Sequence, residues 1–339
     1  MTESGPQRLS LQPFAMVVGV MLLGLGGGAF ALDAHQWWVA MNDALVHQSY
    51  QVDVLHQSNG RVDRVKIWHR VKDGRIEEHL VHSTPHGREV LRSGNGVKVI
   101  LPAQRLIWVQ DQVATPLLNG VPALTPTVDK FYQVELLNDK PMVFGRPCVV
   151  LSIRPKDGYR FGYRLTIDAH NQLPVKSELL DLDGNTLEQW LFTDIQTNAA
   201  LIEQGLKPLQ DVSGFSERVP SQTEVTVKPA WQTGEAIANL PPGFTLTQVM
   251  ATKPTGSGVR LAVSDGLATV SVFLEAVPAG PWLQQQSEGQ VGAARVLSQQ
   301  WNDHKLTVVG EVPRATVHSV AAAIRENEAL WKNLVESTQ

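Results

Sequence analysis

The sequence predicts a mainly β protein with some α structure. One large antiparallel sheet, strongly curved or rolled into a partly open barrel, is followed by a smaller α+β unit. Short alternating segments recur between Gly-, Asn- and Asp-bearing turns over the first two hundred residues. The stretch from Asp157 to Phe192 reads as three consecutive antiparallel strands without a catalytic constellation. The pattern then lapses, and resumes as a few strands closed by one amphipathic helix.

In chain order, Arg8 precedes an apolar run from Phe14 to Ala31, and Ala29-Phe30-Ala31 fits the small-x-small rule for signal-peptidase cleavage. The expectation is an export signal over 1–31, cut after Ala31, and a periplasmic mature chain beginning at Leu32. The run is almost long enough to span a bilayer as an uncleaved anchor. Gly26 to Gly28 and the small residues at the cleavage site favour removal. No Cys follows the run, so lipidation there is excluded.

Asp33 is placed to cap a helix over Ala34–His47, with Trp38, Met41 and Leu45 on one face. Strands are expected over 50–56, 63–71, 76–82, 88–91, 97–101 and 106–109, with turns at Asn59-Gly60, Lys72-Asp73-Gly74, Pro85-His86-Gly87 and Gly94-Asn95-Gly96. Pro116, Pro122 and Pro126 make 115–127 irregular or a short helix. Strands resume over 131–136, 148–154, 160–168, 174–181 and 187–192, with Asp183-Gly184 as a hairpin signal. In the strand at 160–168, Phe161, Tyr163, Leu165 and Ile167 point one way, and Arg160, Arg164 and Thr166 the other.

These elements define a half-open barrel domain over 32–200. Residues 201–230 lack sustained alternation and read as a linker. The α+β unit over 231–327 has a strand opening at Leu240–Phe244, a hairpin of 258–264 with 268–275 across Asp265-Gly266, and a strand at 304–309. A helix starting at Pro313 buries Val317, Val320, Ala321 and Ile324. Residues 328–339 form a tail.

The 339 residues are 43% apolar and 18% charged, enough for a sizeable core and against wholesale disorder. A net charge of −4 argues against nucleic acid as a partner. Cys148 is the sole cysteine, so no intrachain disulfide forms, and it reads as a small buried hydrophobe. His79 and His82 beside Glu77 and Glu78 look like metal ligands, but in a strand their spacing sends them to opposite faces. Ser264-Asp265 lies in a turn and the chain has no G-x-S-x-G elbow. Neither enzyme activity, metal nor cofactor is expected.

Several blocks resemble the MucB/RseB family of periplasmic regulators of the sigma-E envelope stress response. They are Asp157-Gly158-Tyr159-Arg160-Phe161-Gly162-Tyr163-Arg164-Leu165, Leu173-Pro174 and Asp183-Gly184-Asn185-Thr186-Leu187-Glu188-Gln189 in the first domain. In the second they are Leu240-Pro241-Pro242-Gly243-Phe244, the run from Ser264 to Phe273, and Thr307 to Val317. The resemblance implies a lipoprotein-carrier-like half-open barrel whose helices plug an apolar concavity. It also implies a smaller domain that, with the linker, grips the periplasmic domain of a membrane-spanning anti-sigma factor. Gripped in this way, the anti-sigma factor is shielded from regulated proteolysis until lipopolysaccharide or another acylated ligand releases it. Self-association as a homo-oligomer is implied as well.

Tyr50, Trp68, Tyr163, Leu165 and Trp190 are the candidates for lining such a concavity, against the alternative that they are ordinary core. Arg160, Arg164 and Lys176 are read as a solvated strand face rather than as sites for phosphate or carboxylate. The competing function is a periplasmic lipid or lipoprotein carrier that uses the same concavity. A carrier has no evident need for a second domain, and this favours the regulator.

Overall fold

The computed structural model describes residues 32–83, 87–94, 96–111, 121–125, 127–219, 226–229, 237–252, 258–276, 286–301 and 304–327. The expected export segment, most of the 115–127 stretch, the start of the second domain near Trp231 and the 328–339 tail lie outside them.

Helix α1 (Ala34–His47) begins on a reciprocal cap: Asp33 Oδ1 accepts the Gln36 N–H at 2.8 Å, and Gln36 Oε1 accepts the Asp33 N–H at 2.9 Å. A meander follows: β1 (Tyr50–Ser58), β2 (Arg61–Lys72), β3 (Arg75–His82), β4 (Glu89–Ser93), β5 (Gly96–Leu101) and β6 (Leu106–Asp111). Next come α2 (Val128–Phe131), β7 (Tyr132–Leu136), β8 (Met142–Val143), β9 (Arg146–Pro155), β10 (Gly162–Asp168), β11 (Pro174–Leu180), β12 (Thr186–Gln196), α3 (Ala199–Gly205) and β13 (Ser216–Arg218).

These strands form a 13-stranded sheet in the order β13-β6-β5-β4-β3-β2-β1-β12-β11-β10-β9-β7, with β8 paired to β9. The first and last strands of that order do not pair, so the barrel is half open. Among the described residues, every strand pairing of this sheet is antiparallel except that of β13 with β6. The hairpin turns Asn59-Gly60 and Asp73-Gly74 put both central residues at positive φ, the backbone that a tight turn between right-twisted strands requires. A third turn of this kind has Phe144 in place of Asn or Asp.

The second sheet orders β14 (Thr226–Pro229), β15 (Thr245–Thr252), β16 (Gly258–Ser264), β17 (Thr269–Ala276), β20 (His304–Gly310), β19 (Ala294–Trp301) and β18 (Ser287–Val291). Helix α4 (Arg314–Glu326) covers it and contributes Val317, Val320, Ala321 and Ile324 to the core. The hairpin β18–β19 and strand β14 were not anticipated. Leu240–Phe244 is a turn before β15 rather than its opening.

Register defines two faces of the large sheet. Tyr50 of β1 faces His69, Ile67 faces Leu80, and Leu165 of β10 faces Leu151, so these side chains share the inner face, which α1 covers. Trp38 and Met41 of α1 pack there on Leu151, Ile153, Leu165 and Ile167, and Ala44 packs near Tyr50 and Val52. The outer face carries α3. Residues read as linker are thus in part a helix and a strand docked on the large sheet.

Candidate functional site

Four of the five candidates lie on the inner face. Tyr50 is buried, stacks on His69 at 4.9 Å and sends its hydroxyl to the Leu45 carbonyl of α1 at 3.3 Å. Trp190 stacks on His56 at 4.2 Å, and His56 in turn contacts Glu188. Leu165 is fully buried under α1. Tyr163 lies between that cluster and a smaller one holding Phe161, Leu179 and Ala293, the last from the β18–β19 turn. Burial drives the hydroxyl pKa of both tyrosines upward.

Trp68 does not belong with them. It pairs with Gln51, one residue out of phase with Tyr50, and therefore points to the outer face. There its Nε1 donates to Gln51 Oε1 at 2.8 Å and its ring stacks on His79 at 5.2 Å beneath α3. A Cβ on Gly205 would fall 1.9 Å from Trp68 Nε1, so glycine is what lets α3 sit on the indole.

Among the described residues, the inner face beside Tyr50 is closely packed. The void beside Tyr50, lined by Leu45, Val52, Leu173, Pro174, Phe192 and Ile195, measures about 10 Å³, room for roughly one water. Leu165 is covered by Trp38 and Met41 of α1, and Trp38 is further held by a hydrogen bond from its Nε1 to the Pro122 carbonyl at 2.9 Å.

Two buried His–Glu pairs hold the helices on the sheet. On the inner face, His69 Nδ1 meets Glu78 Oε1 at 3.0 Å and its Nε2 lies 3.2 Å from the Val46 carbonyl of α1. Burial pushes the Glu78 carboxyl up, but hydrogen bonds and charge from His69 and Arg92 outweigh it, and the net pKa lies below the usual carboxylate value. On the outer face, His79 Nε2 meets Glu89 Oε2 at 3.0 Å and its Nδ1 lies 2.6 Å from the Gly205 carbonyl of α3. Glu89 Oε2 also accepts the Leu209 N–H at 3.0 Å. Sequence reading weighed His79 for metal and missed this role, because its partners sit ten and 126 positions away. His82 lies on the inner face.

The junction between the sheets is centred on Arg160, which is 0% exposed and not the solvated residue expected. Alternation placed it in a strand, but β10 begins only at Gly162 and Arg160 precedes it in a bend. Its Nε donates to Asp157 Oδ1 at 3.0 Å, its Nη1 to Asp265 Oδ2 at 2.7 Å, and its Nη2 to the Pro242 carbonyl. The guanidinium lies over the rings of Phe131 at 4.6 Å, Phe244 at 5.1 Å and Tyr132 at 5.6 Å. Asp265 is equally saturated: Oδ2 also accepts the Tyr132 hydroxyl at 3.0 Å, and Oδ1 accepts the N–H groups of Leu267 and Ala268, each at 2.8 Å. Gly243, at φ 84, brings the backbone to Phe131, where a Cβ would lie 2.4 Å from the ring. Thr316 Oγ1 donates to the Tyr159 carbonyl at 2.6 Å. Arg164 and Lys176 lie on the outer face, 3.7 Å and 3.0 Å from Glu178 Oε2.

The architecture is a half-open sheet plugged by a helix and clamped to a small α+β unit. Residues 33–210 match the MucB/RseB N-terminal domain, and residues 226–325 match the MucB/RseB C-terminal domain. The chain belongs to the MucB/RseB family. It is 33% identical over 311 residues to the sigma factor AlgU regulatory protein MucB of Pseudomonas aeruginosa, covering 89% of this chain and 94% of that one. It is 26% identical over 299 residues to the sigma-E factor regulatory protein RseB of Salmonella typhimurium, covering 84% of this chain and 88% of that one. The crystal structure of MucB in complex with MucA(peri) superposes with a TM-score of 0.65 at 30% identity, covering 85% of this chain and 97% of that chain. The sequence blocks around Arg160, Gly243, Asp265 and Thr316 that carried the family resemblance converge on the junction between the sheets.

Proposed function

We propose that this chain is a periplasmic regulator, exported by cleavage after Ala31, that binds the periplasmic part of a membrane-spanning anti-sigma factor. Bound there, it protects that segment from regulated proteolysis and restrains a sigma-E-type envelope stress response; lipopolysaccharide or a similar acylated ligand releases it. The observation that carries the reading is the match along both domains to a protein solved in complex with MucA(peri). The built junction supports it, since a regulator has use for a second domain held in a defined place. The domain division at 32–200, 201–230 and 231–327 belongs to this proposal.

The ligand face comprises Tyr50, Tyr163, Leu165 and Trp190, and ligand entry requires α1 to move. A ligand can then act on partner binding only through different affinities for the plugged and unplugged arrangements. The test is calorimetric titration of the chain from Leu32 onward with the periplasmic segment of the anti-sigma factor from the same organism. Submicromolar binding that lipopolysaccharide weakens is expected. A folded chain that ignores the segment overturns the proposal in favour of a lipid or lipoprotein carrier.

A further inference from the structure

Among the described residues, three hairpin turns of the large sheet close over two residues with both at positive φ. Two of them use Asn59-Gly60 and Asp73-Gly74, residue types that tolerate this backbone. The third, between Val143 and Arg146, places Phe144 at φ 49 ahead of Gly145 at φ 74. An aromatic residue is strained there, where Asn is at ease. The fold recovers little of that cost by burial, since Phe144 is 60% exposed, and Met142, two residues earlier in β8, is 65% exposed. Val143 between them turns inward and packs on the core. The strained turn therefore leaves Phe144 in solvent, with Met142 exposed close to it in the same hairpin.

We propose that the Met142–Phe144 tip is a membrane-docking element that dips into the interfacial layer of a lipid bilayer. The tip ends in a two-residue turn with both large side chains exposed. A fluid interface closes around such a shape, whereas a protein partner would need a matching pocket. Lys140, exposed two residues before Met142 and beside the equally exposed Asp139, is the cation placed to meet lipid phosphates as the apolar pair enters. Arg146 is committed elsewhere, to Asp168 at 2.7 Å and the Ile195 carbonyl at 2.9 Å. Two side chains give weak, reversible attachment, which a membrane-tethered partner strengthens by raising the local concentration of bilayer. The proposal rests on the function above only in placing the chain beside a membrane-spanning partner.

The experiment is flotation of the chain from Leu32 onward, which omits the apolar leader and retains the compact unit Asp33–Gln339, with vesicles of phosphatidylethanolamine and phosphatidylglycerol at millimolar lipid. Phe144→Asn relieves the turn, so its thermal midpoint is expected to hold or rise while its partition to vesicles falls roughly tenfold. Met142→Gln is expected to lower partition without changing the midpoint. Titration with the anti-sigma segment, run without lipid, is expected to be the same for wild type and both variants, which separates this test from that of the proposed function. Absence of flotation by the wild type, or equal flotation by Phe144→Asn, overturns the proposal. Loss of segment binding by Phe144→Asn also overturns it and makes the tip a protein contact.

Discussion

At the scale of single residues, Arg160 and Asp265 show how a buried charge pair fixes one contact across the chain. Every polar atom of the Arg160 guanidinium has a partner, and both carboxylate oxygens of Asp265 are occupied, so desolvation is offset by bonds in good geometry. Arg160→Met leaves Asp265 buried without its counter-charge. It is expected to lower stability by about 3 kcal/mol, read as a fall in the urea midpoint. Paired carboxylates also set the acid limit. For Asp168, burial raises the carboxyl pKa, but the His170 backbone hydrogen bond and Arg146 bring the net value below the usual range, as His69 and Arg92 do for Glu78. Folded-state values below the unfolded ones mean the stabilisation is present above the ordinary carboxylate range of about 4 and is lost as pH falls through it. Urea midpoints should therefore decline below about pH 4, and Asp168→Asn should flatten that decline. The sequence could not reveal the Arg160 pairing. Its period-two pattern runs unbroken through Arg160, and nothing local signals a partner 105 residues away.

Among the elements, legibility follows how local the determinants are. Helix α1 was readable end to end, because its cap, its apolar stripe and its boundary at His47 all lie within its own residues. The strands of both sheets were readable to within a few residues wherever alternation and turn chemistry agreed. Helix α3 and β13 were not, since neither has a periodic stripe of its own; what orders them is the surface they land on. Trp68 was grouped with the inner-face residues although the alternation of its strand was legible: Arg64, Lys66 and Arg70 mark the outer side, opposite Val65, Ile67 and His69, and Trp68 shares their phase. What the strand itself does not signal is that the indole is buried on that side, under α3. The seat of α3 makes a sharp test. Gly205→Ala would put a methyl group inside the indole of Trp68, so α3 must lift. The expected result is faster hydrogen exchange over 199–209 and a stability loss of about 1–3 kcal/mol.

For the whole molecule, the junction makes two sheets behave as one body. Arg160, Asp265, Pro242, Gly243 and Thr316 come from four separate sequence blocks, and the fold gathers them at one place. Wild type is expected to unfold in one transition and Arg160→Met in two, resolved by calorimetry. Family membership was legible from those same blocks before their geometry was known, although the reason for them, a clamp rather than a pocket, was not. The parallel pairing of β13 with β6 carries a further consequence. That three-residue strand caps the outermost ladder of the large sheet, and the chain that forms it is the chain leading to the second sheet. The connection thus shields a strand that would otherwise offer unpaired amides and carbonyls to any passing copy. A first domain cut free before Ser216 would lose that guard along Leu106–Trp108 and leave that stretch of backbone open to pairing with another chain, so the segment that joins the two halves also covers an edge of the larger one.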